Sequence, residues 1–186
     1  MTFKPFDQKG DLYFVTAKIE GGKHLFSLSQ YAWIILNSLK WLREQIRIKL
    51  YAFVVMPNHV HFILQPQGKW TASQICYAFE KFTAHEILKL LKEEGRKDLI
   101  IHFEKCAENF SDRKHKIWQD IQAKNIFSEK FFLEKVEYLH NNPIRKGWNL
   151  VENRADYKYS SACFYDKGEK SIIEIDDAGE LWEIPH

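Results

Sequence analysis

Residues 53–64 read Phe-Val-Val-Met-Pro-Asn-His-Val-His-Phe-Ile-Leu, and they restrict the fold more than any other stretch. Two apolar runs flank Met56-Pro57-Asn58. Proline presets one turn dihedral, and asparagine is a favoured turn residue. A turn this short makes the flanking strands antiparallel neighbours. Alternation along a strand then puts His59 and His61 on one face and Val60 on the other. A packed sheet thus delivers two imidazoles together, which is half of a divalent-metal site. Side chains on such a face are expected to be partly open. A pair of strand histidines satisfied by hydrogen bonds has the same spacing, so the motif alone leaves both readings open.

The rest of the chain supplies partners for this hairpin. Asp11–Ile19 is rich in β-formers and ends at Gly21-Gly22. Tyr31, Ile34, Ile35, Leu39 and Leu42 recur at helical spacing over 30–46, with Ser27 or Ser29 as candidate caps. Strands are expected at Ile48–Met56 and His59–Gln65, and a helix from Thr71 to about Glu94. Gly95–Ile117 is polar and irregular and reads as a long loop, with a short strand following within Trp118–Ile126. Ser128 is a good N-cap for a helix carrying Phe132, Val136 and Leu139, which Pro143 ends. This order predicts an α+β, ferredoxin-like split βαβ fold, an antiparallel sheet with helices on one face. The 186 residues suffice for a single domain, expected over 1–165, followed by an acidic tail over 166–186.

Composition narrows the setting. Cys76, Cys106 and Cys163 are odd in number and far apart, which favours a reducing cytoplasm over a disulfide framework. The N-terminus lacks the apolar core of a signal peptide, and no apolar run approaches membrane-spanning length. With the five acids of residues 171–186 set aside, the formal charge of +2 becomes +7. A basic body suits a polyanion such as nucleic acid, and equally a solvated surface.

The second chemical segment is Phe131-Phe-Leu-Glu-Lys-Val-Glu-Tyr-Leu-His-Asn-Asn-Pro143. Tyr138 and Asn142 stack one helical turn apart at the edge of the apolar stripe. Tyr138 can rest its ring on the sheet with its hydroxyl outward, and the Asn142 amide oxygen is a hard metal ligand. A boundary tyrosine followed by a C-capping asparagine fits the same residues. Glu134 and Glu137 read as exposed helix residues. Beside a metal that polarises a phosphoryl oxygen, Tyr138 is a competent nucleophile toward a DNA phosphate. The covalent link would conserve the phosphodiester free energy, so rejoining would need no ATP. Candidate DNA contacts are Arg145 and Lys146 with Trp148, then Lys114, Lys116 and Trp118, then Lys81 and Lys158. For the two tryptophans a core position is the competing reading.

At these residues the chain resembles the single-tyrosine transposases of the HUH superfamily, closest to the branch associated with repetitive extragenic palindromes (REP). Val55-Met-Pro-Asn-His-Val-His-Phe62 resembles that family's histidine–hydrophobic–histidine strand. Val136-Glu-Tyr-Leu-His-Asn-Asn-Pro-Ile-Arg-Lys-Gly147 resembles its nucleophile helix and following turn. Tyr157-Lys-Tyr-Ser-Ser161 resembles a C-terminal aromatic–Ser–Ser element. The resemblance spans roughly residues 10–165. It implies Tyr138 as nucleophile, His59, His61 and Asn142 as ligands of Mg²⁺ or Mn²⁺, and single-stranded DNA beside a hairpin as substrate. Such proteins are monomers, or dimers that share active sites. Two other classes compete. A non-catalytic nucleic-acid-binding domain would have no need of His59, His61 and Tyr138 together. A small metallohydrolase would leave Tyr138 without a role.

Overall fold

The computed structural model describes residues 10–182. Its centre is a four-stranded antiparallel sheet of β1 (Leu12–Lys18), β2 (Ile48–Met56), β3 (His59–Pro66) and β4 (Gln122–Ile126), in the order β2-β3-β1-β4. Helix α1 (Ser29–Glu44) links β1 to β2, and α2 (Ala72–Glu93) lies between β3 and β4. The β2–β3 hairpin turns at Pro57-Asn58, and its register sets Met56 opposite His59 and Val54 opposite His61. On its other side β3 pairs with β1, with Thr16 opposite His61 and Lys18 opposite His59. The histidine strand is therefore central, and the split βαβ expectation holds.

Helices cover both faces, which corrects the one-face expectation. Val15, Val60, Phe62 and Leu64 pack with Ile35 and Leu39 of α1 and Ile75 and Phe79 of α2. On the opposite face Leu12, Phe14, Val54, Met56 and Ile63 pack with Phe132, Val136 and Leu139 of α4 (Glu129–His140). The reason lies in the strands, since β1, β2 and β3 are apolar on successive residues and need cover on both sides. At the C-terminal end of β2 the chain turns and returns as His59, so the histidines open at the end of the face that α4 covers.

Local signals explain most boundaries. Thr71 and Gln74 form a reciprocal capping box at the start of α2. Ser128 Oγ accepts the Phe131 N–H at the start of α4, as expected. Helix α1 starts differently. Leu28 is its N-cap, without a side-chain cap bond, and Ser29 is its first helical residue. The long loop expected over 95–117 instead contains α3 (Lys97–Lys105), which buries Leu99 and Phe103 one turn apart.

The acidic tail is not a solvated appendage. Ile173 and Ile175 are buried in the core, and Arg43 of α1 pairs with both Glu174 (2.8 Å) and Asp176 (2.9 Å). This segment helps to seal the outer edge of β2. Asp176 N–H donates to the Leu50 carbonyl at 2.7 Å, and the Asp176 carboxylate accepts the Leu50 N–H at 2.8 Å. Val55 N–H donates to the Tyr159 carbonyl, and Ser161 N–H donates to the Phe53 carbonyl. The hydroxyls of Tyr157 and Tyr165 donate to the carbonyls of Val55 and Tyr51. The aromatic–Ser–Ser element thus satisfies an otherwise open strand edge without being a strand itself.

Candidate active site

The β3 register brings His59 and His61 together with ring centroids 4.9 Å apart. His59 is half-buried, and its Nδ1 lies 2.7 Å from Asn58 Oδ1. An amide oxygen only accepts, so Nδ1 carries the proton and Nε2 keeps its lone pair. His61 is 4% exposed, stacks on Phe14 at 5.2 Å and has its Nδ1 2.9 Å from Thr16 Oγ1. Burial pushes His59 down to about 4, helped by Lys18 and opposed by its contact with Asn142. Burial also pushes His61 down to about 3, with His59 and the cations Lys18, Arg145 and Lys135 adding to the effect. Both imidazoles are therefore neutral at pH 7, the form that binds metals. Asn58 also donates to the Gly22 carbonyl at 3.3 Å, so the hairpin turn is tied to the loop before α1.

Helix α4 lays Tyr138 against this pair. Its ring lies 5.4 Å from His61 and 5.9 Å from Phe14, edge-on to each, and the residue is 38% exposed. Asn142 follows in a 3-10 turn, only 4% exposed. Its Nδ2 donates to the carbonyls of Tyr138 (2.9 Å) and Leu139 (3.3 Å), which leaves the amide oxygen for the side facing His59. Gly147, with φ +99°, then takes a backbone conformation that a side chain would resist. The chain bends there, and Trp148 lands 5.7 Å from His59 and 5.4 Å from His24.

Together these residues line a cleft of about 610 Å³. Its wall includes Phe14, Thr16, Lys18, Gln122, Lys124 and Lys135 besides the histidines, Tyr138, Asn142 and Trp148. Among the described residues no carboxylate lines it. Arg145 stacks on the Tyr138 ring at 4.2 Å, and Lys135 lies 5.5 Å from the same ring. Among the described residues no three His, Cys, Asp or Glu side chains converge to hold a metal. The donor set is two imidazole nitrogens and one amide oxygen. It fits Mn²⁺ or Mg²⁺ if phosphate oxygens and water complete the coordination, as is usual for octahedral Mg²⁺ bound to phosphates.

Several expected DNA contacts fall elsewhere. Trp118 is 2% exposed, packs on Phe26 and Phe79, and donates its indole N–H to Thr83 Oγ1 at 3.0 Å. Its ring is core and offers no face to a base, so the base-stacking expectation is corrected. Lys116 pairs with Glu20 at 3.2 Å, and the exposed Lys114 lies 3.6 Å from Glu104. Lys81 is exposed on α2, beyond the other face of the sheet. None of the three lines the cleft. Lys146 is exposed beside Arg145. Glu137 is engaged by Arg154 at 2.6 Å, in keeping with an exposed helix position. Conversely, Lys18, Lys124 and Lys135 were not singled out from sequence. Lys18 and Lys124 sit two residues along their strands from Thr16 and Gln122, on the histidine face, and Lys135 lies one turn before Tyr138. Strand pairing of β1 with β3 and β4, not local motif, brings the first two to the site.

The family described as transposase IS200-like matches residues 28–103, a stretch that contains His59 and His61 but stops short of Tyr138 and Asn142. A REP-associated tyrosine transposase, solved bound to a REP hairpin, superposes with a TM-score of 0.63 at 20% identity, covering 95% of this chain and 92% of that one. A candidate transposase from Deinococcus radiodurans R1 aligns at 15% identity and a TM-score of 0.44, covering 76% of this chain and 97% of the other, too remote a likeness to argue from. No curated protein matches. The resemblance read from the motifs is borne out: the chain matches the IS200-like transposases in sequence over residues 28–103 and resembles a REP-associated tyrosine transposase in fold over nearly its whole length.

Proposed function

We propose that this protein is a metal-dependent single-stranded DNA nickase and strand transferase that acts through Tyr138. One observation supports this above the others. The Tyr138 ring lies 5.4 Å from His61, in a single cleft whose charged wall residues are all lysines. A phenol, two neutral imidazoles and an amide oxygen beside cationic side chains suit phosphoryl transfer. A bound Mg²⁺ or Mn²⁺, held by His59, His61 and Asn142, would polarise a phosphoryl oxygen. The protein groups do the rest. Lys135 and Arg145 face charge that develops on the phosphate and on the phenolate. Tyr138 Oη forms a new O–P bond as the P–O bond to a sugar oxygen breaks, the phenol's proton passing to water while the departing oxygen takes one from water and leaves as a hydroxyl. One phosphoester replaces another, so the reverse attack rejoins the strand without ATP. Trp148 and Lys124 suit unpaired bases and their phosphates. The solved relative bound to a REP hairpin makes a hairpin-flanked strand the first substrate to try.

The test is incubation with labelled hairpin-bearing single-stranded DNA and Mn²⁺. An SDS-resistant protein–DNA adduct is expected, and its absence would overturn the proposal. Among the described residues no helix is long and apolar enough to cross a membrane.

A further inference from the structure

We infer that Lys18, Lys124 and Lys135 make cation binding conditional on DNA, so that the divalent ion and the phosphate enter the cleft as cooperative partners. This deepens the metal and DNA reading above and rests on it. The three side chains offered to a cation, His59, His61 and Asn142, bring no negative charge. A hard divalent cation is ordinarily held by carboxylates, and none lines this cleft. Three lysines line it instead, and Arg145 stacks on the tyrosine at its rim. Among the described residues none of these four cations is in an ion pair with an acid, so their field is not cancelled locally. Among the described residues a bare dication meets four like charges and no compensating anion in the cleft wall. DNA reverses the balance, because phosphate neutralises the lysines and supplies anionic oxygens to the cation. Linkage then requires reciprocity, and the cation must tighten DNA by the same factor that DNA tightens the cation. The lysines thus act with opposite sign on the two ligands, favouring DNA and opposing the free cation.

The experiment uses the full chain carrying Tyr138→Phe, so that DNA is bound and not cut. Free Mn²⁺ is read by electron paramagnetic resonance during titration, with protein alone, with a saturating hairpin-bearing single strand, and with the strand alone to subtract its own uptake. DNA is expected to tighten Mn²⁺ by about tenfold or more, within the usual range of coupling between sites. Adding KCl should tighten Mn²⁺ on the DNA-free protein, because salt screens the repulsion, whereas a carboxylate site would weaken. Lys124→Gln with Lys135→Gln should tighten Mn²⁺ without DNA while weakening DNA in fluorescence anisotropy. Lys18→Gln, on a different strand, is an independent variant with the same expectation. Equal Mn²⁺ affinity with and without DNA, or DNA-free affinity that falls with KCl, overturns the coupling and leaves the proposed function standing. Mn²⁺ uptake in neither state, with DNA still bound, overturns the metal site itself and the coupling with it.

Discussion

Tyr138 and its neighbours can be separated by the smallest substitutions. Tyr138→Phe keeps the ring against His61, Phe14 and Arg145 and removes only the oxygen proposed to attack. The covalent adduct should vanish, DNA affinity should stay within about twofold, and stability should move by no more than about 0.5 kcal/mol, as for other partly exposed positions. Gel analysis of adducts beside anisotropy checks both halves. The histidines are less alike than the sequence suggests. Alternation shows that they share a face, but not that His61 is stacked beneath Phe14 and 4% exposed. His61→Ala should therefore leave a cavity and cost stability, whereas His59→Ala at the open end should cost less. His140 carries the acid sensitivity of the helix end. It is fully buried with Nε2 2.8 Å from Ser161 Oγ, and burial, reinforced by Arg154, holds it at about 4 against an ordinary 6.5. The unfolded chain takes up this proton first, so stability is complete above pH 6.5, falls as pH drops toward 4 and levels off below. Urea unfolding at pH 7.5 and 4.5 should show a loss that His140→Gln reduces by roughly 2–3 kcal/mol.

At the scale of elements, strong periodicity was legible and weak periodicity was not. Ile75, Phe79, Ile87 and Leu91 announce α2, and Ser128 with Phe132, Val136 and Leu139 announces α4. Helix α3 has nine residues and buries only Leu99 and Phe103, so its polar remainder conceals it. The placement of α4 on the second face could have been inferred from strands apolar on consecutive residues, a pattern that requires cover on both sides. The tail was read from charge alone, and charge hid Ile173 and Ile175. Four of the site's side chains were found because they lie in two short motifs. Lys18 and Lys124 were missed because pairing of β1 and β4 across more than a hundred residues brings Thr16 opposite Gln122, and Lys135 because one turn before Tyr138 it reads as an ordinary exposed helix lysine. Truncation after Lys170 should remove both isoleucines and the Asp176 bonds to Leu50 and Arg43. The expected cost is up to roughly 3–6 kcal/mol from the two buried side chains. Thermal melts should show it, with light scattering rising as the β2 edge is bared.

For the whole molecule, His59, His61, Tyr138 and Asn142 line one cleft of a single chain, and we expect each copy to act with its own set. Mixing Tyr138→Phe with His61→Gln should accordingly restore no cleavage. Recovery of adduct in the mixture would show that sites are shared between subunits. Given an open cleft with separate lysines, we expect cleavage of a strand that can bend and none of its perfect duplex. Binding should weaken with salt, and Arg145→Ala should reduce the logarithmic salt slope by about 0.7 if it meets one phosphate. Anisotropy between low and moderate salt measures that slope. The two margins of the sheet have unequal fates. The margin at β2 is stitched shut by residues 157–176, while β4 pairs only with β1 among the described residues. A sheet with both margins free has a valence of two and can add copies without end. Here, among the described residues, the valence is one. Strand addition through β4 can join two copies about a twofold axis, and with that union the capacity for growth is spent. A sheet closed at one margin in this way has no second hydrogen-bonding edge through which to extend a fibre.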